Sequence, residues 1–465
     1  MKKIVMFGAA ALALTACSSE DVVNPGTVRE HEPGEISFRA RLVNSTRGMD
    51  IVADDLTQFM VAGLKGLPED VADGKITEMT SHFDWTEFSK EASAPYRFYP
   101  EKVLRYPFDN TMLYMPAYAP VEAQFTDVET PGDGGIVFKG FAVDEDIEQQ
   151  LDLIVGEGVG RYTESDEYNS IDFQHILTKV YVASAKNEDS DLNYEVIGIR
   201  FGNIYLEGDG QFRTAAIIDE DGNPIEGADA SWQNDAIMWE TQGDLATITY
   251  RFSDPVTIGS DDTALMDGGA GAGSFLMIPQ QATFTTVAAD EAADDEEGPV
   301  DANTGGTLKF KEGMSYIALL IRLTNTTGDC YYPFPGNKGV QNITESIGGV
   351  EYAWAAFPIA SRWKAGTTTI YKIDFTEGAG YVAPGAEGYK DDFLAEDGDV
   401  SERPATRADE ENWIDTEYRP ILGTQIRFDE IFVRGWDEAD STEETTSQRY
   451  VVTLDEGSTD DPFAE

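Results

Sequence analysis

Histidine, cysteine and basic side chains are all scarce in this chain, and each shortage narrows what it can be. The three histidines, His31, His82 and His175, leave little material for a metal centre or a general base. H-E-x-x-H, C-x-x-C, G-x-S-x-G and the phosphate-binding P-loop are all absent. The run GEGVG at residues 156 to 160 lacks the helix and the spacing of a dinucleotide loop. With 86 acidic residues, chance carboxylate pairs are so numerous that none identifies a glycosidase. The chain is therefore expected to be no enzyme and to hold no cofactor and no metal. Two cysteines, Cys17 and Cys330, are too few for a disulfide framework. The 33 basic residues leave a net charge of −53, which repels nucleic acid and anionic headgroups, so no nucleic-acid partner is expected. After the first residues there is no apolar run near the roughly 18 needed to span a bilayer.

What is present begins at the N-terminus. Lys2 and Lys3 precede an apolar stretch, Ile4 to Leu14, too short for a stop-transfer helix. Leu14-Thr15-Ala16-Cys17 resembles a bacterial lipobox. That resemblance implies a signal peptide over residues 1 to 17, with Cys17 carrying palmitate and related acyl chains. Each buried methylene contributes about 0.8 kcal/mol, so several chains hold a protein on a membrane. Ser18 and Ser19 resemble an outer-membrane sorting context, and Glu20-Asp21 a surface-export tag. Cys330 is then left as a single small side chain without a partner. Residues 18 to 35 are polar, with proline and glycine, and read as a flexible tether.

From residue 36 onward the recurring signal is the β-strand. In ISFRARLVNSTRGMD, residues 36 to 50, Ile36, Phe38, Ala40 and Leu42 alternate with Ser37, Arg39 and Arg41. That is the period of a half-buried strand with the second set toward solvent. It runs into the small polar residues before Arg47-Gly48, an exposed and readily cut place. DLATITYRF alternates through Ile248, Tyr250 and Phe252. YIALLIRLTN is apolar on both faces, as a central strand would be. TTIYKIDF places Tyr371, Ile373 and Phe375 together, and Asp221-Gly222 suits a hairpin turn. No amphipathic helix longer than about three turns is evident. The fold class is all-β, built from antiparallel sandwiches. Residues 288 to 306, 377 to 412 and 437 to 448 read as solvated loops. Asp290, Asp294, Asp295, Glu296 and Glu297 lack the ligand spacing of a calcium-binding EF-hand. His175 reads as a satisfied side chain at a strand bend.

Several of these stretches, taken in order, resemble the fimbrillin family of type V pilus subunits. IDFQHILTKVYV, residues 171 to 182, resembles its F-x-H-A-L-S-K motif through Phe173, His175, Leu177, Lys179 and Val180. Ile176 and Thr178 depart from the usual small residues. GSFLMIPQ resembles the L-x-x-P-Q strand end. SRWKAGTTTIYKIDF resembles the family's segment of W-x-x-G followed by a Tyr strand through Trp363, Gly366 and Tyr371, and PILGTQIRFDEIFVRGW resembles the closing strands. The insert at 377 to 412 and the acidic stretch after Trp436 depart from the pattern.

The resemblance implies two tandem transthyretin-like antiparallel β-sandwich domains, at 48–170 and 171–465, after a tether and removable N-terminal strand at 18–47. It implies export as an outer-membrane lipoprotein and cleavage between Arg47 and Gly48 by an arginine-specific surface protease. The plug strand of Ile36, Phe38, Ala40 and Leu42 would leave, and another pilus subunit would fill its groove. The donor strand is expected in RYVVTLDEG, residues 449 to 457, through Tyr450, Val452 and Leu454, with TQIRFDEIFV second. The resulting surface fimbrium would serve adhesion to a host or bacterial receptor. The alternative is a non-polymerising surface lipoprotein that anchors fimbriae or binds glycans, through aromatics such as Trp85, Tyr96, Tyr99 and Tyr106.

Overall fold

The structure is a computed structural model that describes residues 33–42, 56–91, 97–164, 169–189, 191–212, 237–268, 273–281, 310, 312–359, 362–376, 378–386, 389–390, 413–414, 417–422 and 427–435. The described residues are nearly all β. Their single α-helix is the one-turn α1, Pro68–Ala72.

Seven strands of the N-terminal half close into a barrel. They are β1 (Phe38–Leu42), β2 (Gln58–Lys65), β3 (Thr80–Lys90), β4 (Phe98–Pro100), β5 (Leu113–Ala119), β8 (Ile154–Gly160) and β9 (Asn169–His175), in the order β1-β4-β3-β2-β5-β8-β9. In this half one sheet closes on itself, which removes its edges. The glycines of GEGVG make room for that closure. A side chain at Gly158 would come within 3.2 Å of Ile171 Cδ1, so Ile171 occupies the space the glycines leave. Phe59, Val61, Phe88, Leu113, Met115 and Phe173 fill the rest of the interior.

A second sheet joins the two halves of the chain. Strands β6 (Asp127–Glu129) and β7 (Ile136–Ala142) pair with β12 (Glu207–Phe212) and β13 (Ile237–Gln242) in the order β13-β12-β7-β6. Phe138, Phe141 and Trp239 from this sheet share a cluster with Tyr118 and Val155 of the barrel. The Trp239 indole donates to the Ile176 carbonyl at 2.8 Å, just where the chain leaves β9. The chain crosses from the barrel into the next sheet at Ile176-Leu177, between β9 and β10.

The C-terminal half is a sandwich. One layer holds β10 (Thr178–Lys186), β15 (Thr263–Ala264), β16 (Phe275–Met277), β23 (Thr367–Asp374) and β27 (Arg427–Gly435). The other holds β11 (Leu192–Ile204), β14 (Ala246–Ile258), β18 (Tyr316–Asn325), β19 (Cys330–Tyr332), β20 (Thr344–Ile347), β21 (Val350–Pro358) and β24 (Tyr381–Val382). Tyr181, Tyr371 and Ile373 from the first layer meet Phe201, Ile317 and Leu319 from the second in one large core. YIALLIRLTN is indeed central: β18 lies between β11 and β21 and is buried on both faces. Two short ladders lie outside these sheets among the described residues, β17 (Gln280–Gln281) with β22 (Arg362–Trp363), and β25 (Tyr389–Lys390) with β26 (Trp413–Ile414).

Among the described residues, pairing is antiparallel except at two places. Strand β1 runs parallel to β9, and β10 runs parallel to β23. The expectation of wholly antiparallel sheets fails here because a parallel pair needs a long crossover, and each of these pairs is separated by most of its half of the chain.

Candidate functional site

The segment from Pro33 to Leu42 enters the barrel as its closing strand. Gly34, at a φ of +77°, begins it; a side chain there would strike the Tyr162 ring, so the turn requires glycine. The Gly34 carbonyl accepts from Tyr106 N, and Ile36 N donates to the Leu104 carbonyl, both at 2.9 Å. Arg105 Nη1 donates to the Pro33 carbonyl at 2.8 Å. His82 Nε2 lies 2.8 Å from the Arg105 carbonyl, so this histidine braces the edge that receives the segment.

Beyond Ser37 the segment changes partners. Phe38 pairs with Phe98 on one side, while Phe38 to Leu42 pair in register with Asn169 to Phe173 on the other. Strand β4 is only three residues long, so β9 carries most of the ladder. The inward side chains Ile36, Phe38 and Ala40 are 0, 1 and 9% exposed. The Phe38 ring meets Phe88 edge-on at 5.0 Å and Phe59 at 6.2 Å. Phe59 in turn stands 5.2 Å from Phe173 and 4.7 Å from Phe98. Aromatic pairs at these separations add to the burial of their area. Tyr106, whose hydroxyl pairs with the Asn169 amide, closes the end of this interior. Burial, and after it the Glu164 charge, pushes the Tyr106 hydroxyl pKa up.

Two details differ from the alternation read in the sequence. Ser37 is buried at 6% exposure and does not face solvent, because the strand proper starts only at Phe38 and the preceding residues pass beneath the 104–106 edge. Arg39 is half-buried. The register of β1 sets Arg39 opposite Ser170 and Arg41 opposite Asp172. Asp172 pairs next with Glu157 of β8. Glu157 is half-buried, and its pKa rises to about 7 through burial, with a hydrogen bond from Tyr114 opposing the rise and the Asp172 charge adding to it.

Among the other residues singled out in the sequence, His175 ends β9 with Nδ1 2.8 Å from Asp152 Oδ2. Tyr99 and Tyr106 are buried in or beside the barrel core, and Trp85 is half-buried, its indole donating to the Val128 carbonyl at 3.2 Å. They form no exposed aromatic row of the kind a glycan platform needs. The second donor candidate overlaps β27, which pairs antiparallel with β23 along its whole length. Cys330 is half-buried, with its thiol pKa raised by burial. Cys17, Arg47, Gly48, Tyr96, Tyr450, Val452 and Leu454, together with the acidic loop at 288 to 306, lie outside the described residues, as does the Leu42 side chain.

No helix among the described residues is long and apolar enough to cross a membrane. No family model and no curated protein matches the chain. Among solved structures, it is similar to a fimbrial protein from Bacteroides vulgatus at 13% identity and a TM-score of 0.42, over 73% of this chain and 95% of that one. It is also similar to a fimbrial assembly protein from Parabacteroides distasonis at 8% identity and a TM-score of 0.29, over 74% and 92% of the two chains. The chain resembles solved fimbrial proteins. Sequence reasoning had singled out the residues of the first strand. It missed Asp172 and Glu157, which become neighbours of that strand only through the closure of the barrel.

Proposed function

We propose that this chain is a subunit of a cell-surface fimbria, exported as an outer-membrane lipoprotein through Cys17 and activated by loss of its first strand. The reading has the chain cut between Arg47 and Gly48 by an arginine-specific surface protease. The segment carrying β1 then leaves, and a strand donated by another subunit takes its place. No catalytic role is part of this proposal. The two halves would be tandem transthyretin-like domains. In support, each half contains one parallel pair, and in each the pair joins strands from its beginning and its end, β1 with β9 and β10 with β23.

One observation carries the proposal. The first strand supplies buried aromatic and aliphatic side chains to the barrel, yet it is joined to β2 through a stretch that contains Arg47. Withdrawal of β1 would part β4 from β9 and leave an apolar trench walled by Phe59, Phe88, Phe98, Ile171 and Phe173. It would also leave an unpaired backbone edge on β9, and such an edge is a template for strand addition. Burial of Ile36 and Phe38 contributes about 3 to 6 kcal/mol at roughly 1.5 to 3 kcal/mol per large side chain. A donated strand of like shape recovers that amount, and its ladder of hydrogen bonds slows its escape.

The test is the N-terminal residue of the protein isolated from the cell surface, in wild type and in Arg47→Ala. Gly48 in the wild type, with unprocessed and unpolymerised protein in the variant, supports the proposal. Lipidated Cys17 on the wild-type surface protein would instead identify a membrane-held anchor or glycan-binding lipoprotein. Normal fimbriae from Arg47→Ala would remove the cut site from the account.

A further inference from the structure

The β1 seat brings two acidic residues to one level of neighbouring strands. The registers align Arg41 of β1 with Asp172 of β9, Asp172 with Glu157 of β8, and Glu157 with Pro116 of β5. Paired residues in adjacent strands lie at one level of the sheet and interact. Asp172 is exposed at that level. Glu157 is half-buried beside it and accepts a hydrogen bond from the Tyr114 hydroxyl, which itself accepts from Gly135 N at 3.0 Å. A strand that replaces β1 must therefore place some residue directly against Asp172, with a second carboxylate one strand further on. The inner levels are equally particular. Level 38 is ringed by Phe59, Phe88 and Phe98, and level 40 is held by the buried Ala40 opposite Ile171.

We infer that the opened groove selects its strand by charge. It takes a strand from a different subunit, with an aromatic at level 38, a small residue at level 40, an apolar one at level 42, and Arg or Lys at the level of Asp172. This rests on the donor-strand reading above and names the partner that reading leaves open. An acidic residue at that level would align three carboxylates on neighbouring strands of a chain whose net charge is already −53. Like charges directly opposite one another weaken strand pairing. The chain's own tail does not meet the requirement. With Tyr450, Val452 and Leu454 at levels 38, 40 and 42, Thr453 stands against Asp172. With Val452 at level 38, Leu454 meets the alanine-sized level and Asp455 faces Asp172. Neither alignment offers a cation.

The experiment uses the full chain cut after Arg47, so that the natural N-terminal fragment is held only by its contacts. Three synthetic strands compete for the groove. One copies Glu35 to Val43, one is the same strand with Arg41→Glu, and one copies Arg449 to Gly457. Uptake of peptide and release of the natural fragment are followed by mass spectrometry at low and high salt. The arginine strand is expected to bind about tenfold tighter than the glutamate strand, since an opposite-charge pair is gained in one and a like-charge pair in the other. High salt should shrink the difference, because Asp172 is exposed. Asp172→Lys should invert the preference, and Asp172→Asn should abolish it. Equal binding of the two charge variants, or a preference unchanged in Asp172→Lys, would overturn the inference and leave the donor-strand reading standing. Binding of the 449–457 strand as tight as that of the arginine strand would make the partner a second copy of this chain and overturn the claim of a different subunit. If no strand enters and the natural fragment never leaves, the donor-strand reading itself fails, and this inference with it.

Discussion

Phe38→Ala in the uncut chain is the perturbation that most directly weighs the contribution of the first strand. The Phe38 ring is 1% exposed and touches Phe59 and Phe88 inside a barrel whose other walls are rigid strands. Truncation of a buried phenylalanine costs about 3 to 5 kcal/mol, part lost transfer energy and part cavity. The cost is expected near the upper end, because Phe59 and Phe88 stack on one another and cannot both move into the space. Since each 1.4 kcal/mol is a factor of ten, the population with β1 detached should rise by roughly three powers of ten. Hydrogen–deuterium exchange read by mass spectrometry should show it in Phe98–Pro100 and Asn169–His175, the strands that flank β1. Strands β18 and β21 in the far sandwich should keep their protection. Phe108→Ala is the control: its ring is 78% exposed, and a change within about 0.5 kcal/mol is expected there. If Phe38→Ala speeds exchange in the flanking strands by less than about fivefold, roughly 1 kcal/mol, then β1 does not hold the barrel shut and the groove argument loses its energetic basis.

Further expectations concern charge and anchoring. Glu157 has a folded-state pKa near 7 against an ordinary 4.5, so between those values the folded chain holds a proton that the unfolded chain has lost. Stability should then fall as pH rises through that window, by up to about 3 kcal/mol, and Glu157→Gln should flatten the decline of the urea midpoint between the two limits. In the sandwich, Arg251 Nε and Nη2 donate to the two oxygens of Glu345 at 3.1 and 2.6 Å, and the Trp354 indole donates to the same carboxylate at 3.0 Å. Glu345→Gln removes the carboxylate charge that the Arg251 guanidinium and the Trp354 indole N–H share, and a loss of about 1 to 2 kcal/mol in chemical denaturation is expected for this partly exposed group. Cys17→Ala should abolish labelling by a palmitate analogue and keep the protein from the outer membrane, measured by fractionation; label retained in the variant would place the acyl group elsewhere.

Local alternation was the most legible feature of the chain. The alternation of residues 36, 38 and 40 and of Tyr371, Ile373 and Phe375 was legible because a pleat repeats every two residues and burial imprints that period, while β18 was legible as an unbroken apolar run, the mark of a strand buried on both faces. Ser37 misled for the same reason. Its place in the alternation is that of an outward residue, yet the edge at 104–106 covers it. The glycines of GEGVG could be excluded as a nucleotide loop by their context, but their use as space for Ile171 required the neighbouring strand.

Sequence alone determined the class of the fold, the apolar face of the first strand and the exclusion of a disulfide framework, since these follow from composition and from contacts within a few residues. Tertiary structure decided the partners: that the first half closes into a barrel, that β1 and β10 find parallel neighbours far along the chain, and that Asp172 and Glu157 meet the level of Arg41. A strand's own pattern states which side is buried, not which edge it will join. That choice depends on how well distant side chains such as Phe38, Phe59 and Phe173 fill one interior, a property no single stretch of sequence contains.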